Sequence, residues 1–169
     1  MCSPRSPQRP EALAALGAAA VRVAEESFFA FAEPCDLARV AGLLRARPGA
    51  EPWLLAAVAF TGPFEGVVRV ALPRALAGEL GGAFCGVRPE TLDDAQITDF
   101  AGELANMVCG LWLTQTHRTE RFALAAPIVT AADDGAATAA AADPAALGVV
   151  LNEMPVLLTL VVNSPAAES

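Results

Sequence analysis

From Asp94 to His117 the chain contains no proline, and its large apolar residues return at helical spacing. Projected at about 100° per residue, Ile97, Phe100, Ala101, Leu104, Val108, Leu111, Trp112 and Gln115 share one broad face. A helix this long with an apolar face draws its stability from packing, so the rest of the chain must supply a layer to cover that face. Thr91 and Asp94 resemble a capping box, which starts the helix at or slightly before Asp94.

Paired apolar runs supply that layer. Trp53–Phe60 and Phe64–Leu72 read as strands, joined by a turn at Thr61-Gly62-Pro63. Pro73 ends the second run, and Arg74–Phe84 reads as a short helix stopped by Gly81, Gly82 and Gly86. Upstream, Glu11–Ala32 is a first long helix, with Phe28, Phe29 and Phe31 weighting its C-terminal end toward the core. Asp36–Arg47 fits a short helix or a strand, and Pro48–Pro52 is a break. Downstream, Arg121–Ala125 and Ile128–Thr130 look extended around Pro127. Ala131–Ala146 is low in complexity and reads as a mobile loop. Leu147–Leu151 and Pro155–Val162 form a closing hairpin that turns at Asn152–Met154. Residues 1–10 read as a disordered lead-in, 11–163 as one domain and 164–169 as a disordered tail. The fold class expected is α+β, with long helices packed on a mainly antiparallel sheet.

Composition excludes several functions. The hydrophobic fraction is 54%, but alanine supplies much of it. The longest apolar runs, Ala12–Val21 and Trp53–Phe60, fall short of the ~20 residues a bilayer span needs. Arg5 and Arg9 before the Ala-rich run suggest a signal peptide. Glu11 interrupts that pattern and Arg22, Glu25 and Glu26 follow closely, so a cytoplasmic chain is expected. With net charge −8 and no basic cluster, nucleic acid is not an expected partner. Cys2, Cys35, Cys85 and Cys109 contain no C-x-x-C pair, and with the single His117 they form no zinc pattern. Inert thiols in a reducing compartment are the expectation, with Cys109 on a helix flank, Trp112 in packing and His117 interacting with the carbonyls at its helix end. No phosphate loop, Ser-His-Asp set or HExxH is present.

The far side of the Asp94–His117 helix carries a narrow stripe of Asp99, Glu103, Asn106 and Gly110, stacked by steps of three and four residues. Met107 and Leu113 edge it and are expected to be partly exposed. Gly110 costs about 1 kcal/mol relative to alanine in a helix interior, and asparagine is also a poor helix former. Both make sense on a free face if a partner must approach the backbone closely.

The segment Asp99-Phe-Ala-Gly-Glu103-Leu-Ala-Asn106-Met-Val-Cys-Gly110 resembles the signature of the CheX/CheC/FliY phosphatases. In that signature an Asp or Ser precedes Glu-x-x-Asn, and a proline follows. Pro127 stands slightly nearer to Asn106 than is usual in the family. Phe60-Thr-Gly-Pro-Phe-Glu-Gly66-Val-Val-Arg-Val70 looks like the family's glycine-containing hairpin, and the similarity runs from about Glu51 to Thr130. Leu111 and Trp112 depart from the polar residues often found after the motif. The first helix has no second Glu-x-x-Asn, so the single-site CheX branch is the nearer match.

The resemblance implies a phosphatase for the aspartyl phosphate of a CheY-like response regulator. Asn106 would hold water in line with phosphorus, Glu103 would pair with the receiver lysine, and Asp99 and Gly110 would belong to the partner interface. It implies no cofactor of the chain's own, since Mg2+ is supplied by the receiver, and a homodimer joined at a sheet edge. The alternative is a non-catalytic receiver-binding or flagellar-switch module of the same fold.

Overall fold

In the computed structural model, which describes residues 9–46 and 51–163, the two central strand runs pair as their turn predicts. Strands β2 (Trp53–Thr61) and β3 (Glu65–Pro73) lie antiparallel, with Trp53 opposite Pro73 and Phe60 opposite Gly66. Side chains alternate across a sheet with period two. Leu54, Ala56, Val58 and Phe60 therefore enter one core with Val68, Val70 and Leu72, while Trp53 and Ala71 enter a second core on the opposite face.

The closing hairpin is β6 (Ala146–Leu151) and β7 (Met154–Asn163). Asn152 and Glu153 join them with φ of 48° and 65°, the two left-handed positions that a two-residue type I′ loop requires. Met154 thus begins the strand instead of belonging to the turn. β7 pairs with β6 on one side and β3 on the other, so Pro155–Val162 lies inside the sheet. With β1 (Ala32–Cys35), β4 (Ala123–Leu124) and β5 (Ile128–Ala132), the order is β1-β6-β7-β3-β2-β4, and β5 also pairs β2. Every pairing is antiparallel. The outer strands are β1 at one edge and β4 with β5 at the other.

Helices α1 (Arg9–Phe28), α3 (Arg74–Cys85) and α4 (Asp94–Thr116) cover the first core. Helices α2 (Leu37–Ala46) and α5 (Asp134–Ala141) cover part of the opposite face, where Val40, Ala137 and Ala141 meet Trp53, Val150 and Leu157. The class is α+β as the pattern predicts, with a second helical layer that it does not.

Other expectations need correction. Arg9 and Pro10, assigned to the lead-in, open α1, where proline at a helix start sacrifices no internal hydrogen bond. The rest of that lead-in and the tail 164–169 lie outside the described residues. α1 stops at Phe28 instead of Ala32 because Phe29 turns left-handed, with φ 53°. Ala30 N–H then reaches Ala24 O at 3.0 Å, and Ala32–Cys35 is released to pair with β6. Pro34 is tolerated because β1 is an edge strand. Phe28 is buried as expected, but Phe29 and Phe31 are 88% and 70% exposed.

The ambiguous Asp36–Arg47 is helical as α2, capped by Asp36, whose carboxylate accepts from Arg39 N–H at 2.7 Å. Ala131–Ala146 is not a mobile loop. Its first residues finish β5, and α5 follows, with Asp133 accepting from Ala136 N–H at 2.8 Å. Alanine is the strongest helix former, and Asp134 ties α5 to β2 by accepting from the Trp53 indole at 2.8 Å.

Candidate functional site

α4 carries the stripe, and its start is firmly set. Asp93 and Gln96 form the capping box, Gln96 N–H donating to Asp93 at 2.8 Å and Asp93 N–H to the Gln96 amide oxygen at 2.9 Å. The box predicted at Thr91 and Asp94 is therefore displaced. Thr91 instead closes a short 3-10 turn, Pro89–Thr91, and Asp94 pairs with Arg74 at the start of α3. The helix buries Ile97, Phe100, Ala101, Leu104, Val108 and Trp112 against the sheet, α1 and α3. Leu111, expected on the same face, is only half-buried. Trp112 is fully buried and meets Phe60 edge to face at 5.6 Å.

On the outer side Asp99 and Glu103 are exposed, and Asn106 and Gly110 half-buried. None of the Asp99, Glu103 and Asn106 side chains has a hydrogen bond or ion pair among the described residues. The helix thus presents two carboxylates and an amide whose bonding capacity is unused among the described residues. A Cβ built on Gly110 would come no nearer than 4.0 Å to Leu124, so internal packing does not require glycine there. Gly102 differs, since a Cβ there would lie 3.1 Å from Pro127 and 3.3 Å from Val129. The proline that trails the motif is thereby seated on α4, one residue before Glu103.

Two grooves flank the stripe. One, about 360 Å³, includes Gly81, Phe84, Cys85 and Leu92 with Asp99 and Glu103. The other, about 340 Å³, includes Gly110, Arg121, Phe122 and Leu124. Phe84, Cys85 and Phe122 had no signal in the helix pattern, because they come from neighbouring elements. No cluster of His, Cys, Asp or Glu suited to a metal ion occurs among the described residues.

The flanking residues depart from expectation in three places. Leu113 is buried, not partly exposed. Cys109 is fully buried instead of lying on a flank, and burial pushes its thiol up to about 12. At His117 only the backbone N–H serves a terminal carbonyl, donating to Leu113 O at 2.8 Å. Its imidazole faces Glu120 at 2.8 Å and packs against Phe64 at 4.8 Å.

The sequence model of the family described as chemotaxis phosphatase CheX matches residues 54–147. The structure is similar to chemotaxis protein CheX from Vibrio vulnificus, 17% identical, with 94% of this chain and 100% of that one covered and a TM-score of 0.65. It is also similar to a CheX from Desulfovibrio desulfuricans, 16% identical, with 90% and 99% covered and a TM-score of 0.63. The CheX–CheY–BeF3–Mg2+ complex from Borrelia burgdorferi matches at 14% identity, with 89% and 96% covered and a TM-score of 0.58. These likenesses establish the fold. Comparison with curated protein sequences gives no match.

Proposed function

Since the chain belongs to the CheX family of chemotaxis phosphatases, we propose that it hydrolyses the aspartyl phosphate of a CheY-like receiver domain. Asn106 positions the attacking water and Glu103 pairs with the receiver's lysine. The observation that carries this reading is the stripe of α4, where Asn106 lies between a carboxylate without a partner among the described residues and a glycine that packing does not demand.

Phosphoryl transfer to water depends mostly on positioning and charge stabilisation. The receiver brings the aspartyl phosphate, Mg2+ and lysine, so the chain must add only a water-holding group and a docking register. An amide can accept a hydrogen bond from water while donating another, which suits Asn106 to holding water in line with phosphorus. Glu103, one helical step away, fixes the register through its charge. Asp99 and Gly110 extend the contact, the glycine allowing close approach. The Borrelia burgdorferi structure contains CheY, BeF3 and Mg2+ together with CheX, which is the combination of partner, phosphoryl mimic and ion that this mechanism calls for. The reaction is cytoplasmic, and the working unit is a homodimer joined along a sheet edge.

Leu111 and Trp112 do not weigh against catalysis, because Trp112 belongs to the core and Leu111 is half-buried beside the stripe. A receiver-binding module without chemistry remains the rival, and turnover separates the two. Substoichiometric protein added to phosphorylated receiver should speed phosphate release over many turnovers. A receiver whose phosphate persists as long with the protein as without it would make the chain a binder.

A further inference from the structure

We propose that the groove between α3 and α4 is a second contact point for the docked receiver, taking an apolar side chain of the partner that is bordered by a cation. The proposal rests on the receiver-phosphatase reading and extends it from chemistry to recognition. Continuity is the first argument, since Phe84, Cys85 and Leu92 line the same groove as Asp99 and Glu103. A partner group paired with Glu103 would lie at its mouth.

The second argument is a pre-set aromatic wall. Phe84 is 53% exposed, yet its ring stands edge-on to Phe28 at 5.4 Å, and Phe28 stands edge-on to Phe100 at 5.1 Å. A ring held in place loses little conformational freedom when a partner covers it, a property of interface anchors. Phe29, Phe31, Phe84 and Val87 are exposed, and all lie at the ends of α1 and α3 or just beyond them. Phe29 follows the ring that Phe84 touches, and its left-handed backbone is costly for a bulky residue. Of these, Phe84 lines the groove itself, where an exposed ring held by its neighbours suits a contact surface.

Charge selects the occupant. Nearby cations are already engaged, Arg74 with Asp94 and Arg88 with Glu90, whereas Asp99 and Glu103 have no partner among the described residues. The groove therefore favours an apolar group next to a positive one. A second copy of this chain, itself at net charge −8, is the poorer electrostatic match.

Cys85 supplies the test, because it is exposed in the groove while Cys35 and Cys109 are buried. In a Cys2→Ser background, maleimide labelling of Cys85 is timed with and without purified CheY-like receivers of the same genome. Each receiver is charged with beryllofluoride and Mg2+, and complex formation is followed separately by fluorescence anisotropy. Labelling should slow at least tenfold in the saturated complex, and Phe84→Ser should raise KM for the phosphorylated receiver about tenfold while kcat stays within twofold. Unslowed labelling in the saturated complex, by a protein that still dephosphorylates phosphorylated receiver in a separate assay, would overturn the groove contact and leave the phosphatase reading standing. Protection that grows with chain concentration in the absence of receiver would assign the groove to a second copy and also overturn it. If no receiver is bound or dephosphorylated by the unmodified protein, the phosphatase reading fails and the groove contact falls with it.

Discussion

Glu103 is exposed and unpaired among the described residues, so its loss removes no contact that holds the fold. Its effect should appear only on docking, where losing one member of a partly desolvated charge pair costs ~2–5 kcal/mol. Glu103→Lys should weaken receiver binding more than Glu103→Ala, because it sets two ammonium groups face to face. Titrating wild-type and Glu103→Lys protein against wild-type and lysine-reversed receivers completes the cycle. Partial recovery in the doubly reversed pair is expected, and strictly additive losses would show that Glu103 acts otherwise. Cys109 gives a prediction about pH. Its thiol lies at about 12 against an ordinary 9.0, and burial also raises Cys35. Between those values the unfolded chain gives up protons that the folded protein keeps, so this contribution is intact below pH 9 and is lost as pH rises toward 12. The unfolding free energy from urea titrations should fall above pH 9, by roughly 1 kcal/mol per pH unit from Cys109, and Cys109→Ala should flatten that decline. The stripe itself was legible because helical period alone stacks Asp99, Glu103, Asn106 and Gly110. Cys109 and Leu113 were not, since their burial depends on where neighbouring elements lie.

Within α4 the two glycines differ in packing, Gly102 tight and Gly110 open, and substitution should separate them. Gly110→Ala introduces a Cβ into open space, so the helix should gain about 1 kcal/mol, seen as a higher thermal midpoint. In the proposed complex the added methyl would stand where the partner approaches, so receiver dephosphorylation should nevertheless fall. Gly102→Val should instead destabilise by about 1–3 kcal/mol through overpacking against Pro127 and Val129, with activity lost as Pro127 is displaced. Thermal scans beside turnover assays distinguish these outcomes, and unchanged activity in a stabilised Gly110→Ala protein would remove glycine from the interface. The β2–β3 and β6–β7 hairpins were legible from alternation and turn chemistry. α5 was not, because an Ala-rich stretch with little periodicity looks the same whether disordered or helical. Its caps at Asp133 and the Trp53–Asp134 bond decide the matter. β1 escaped notice because Phe29 ends α1 through a left-handed turn usually taken by glycine.

At the scale of the molecule, the α+β class followed from helix-length stretches alternating with strand pairs, but strand order did not. Pro155–Val162, apolar and near the end of the chain, pairs on both sides and lies between β6 and β3, so it offers no edge. The proposed sheet-edge dimer must therefore use β1 or the β4–β5 side, and β5 exposes Ile128 at 69%. An unpaired edge with an apolar residue favours strand addition. Light scattering at micromolar concentration should give about twice the 17.3 kDa chain mass, and Ile128→Lys should lower it toward the monomer if β5 forms the joint. A monomer at every accessible concentration would reject the dimer. The account as a whole depends on Asn106, whose half-buried amide contributes no bond to the fold among the described residues. The most direct measurement is the decay of receiver phosphate under saturating wild-type or Asn106→Ala protein, with binding and thermal stability recorded on the same samples. Alanine, the better helix former, should leave folding and receiver binding intact while hydrolysis slows by about 10²-fold or more, as expected when water positioning is lost. A folded, receiver-bound Asn106→Ala protein that hydrolyses at the wild-type rate would contradict the mechanism.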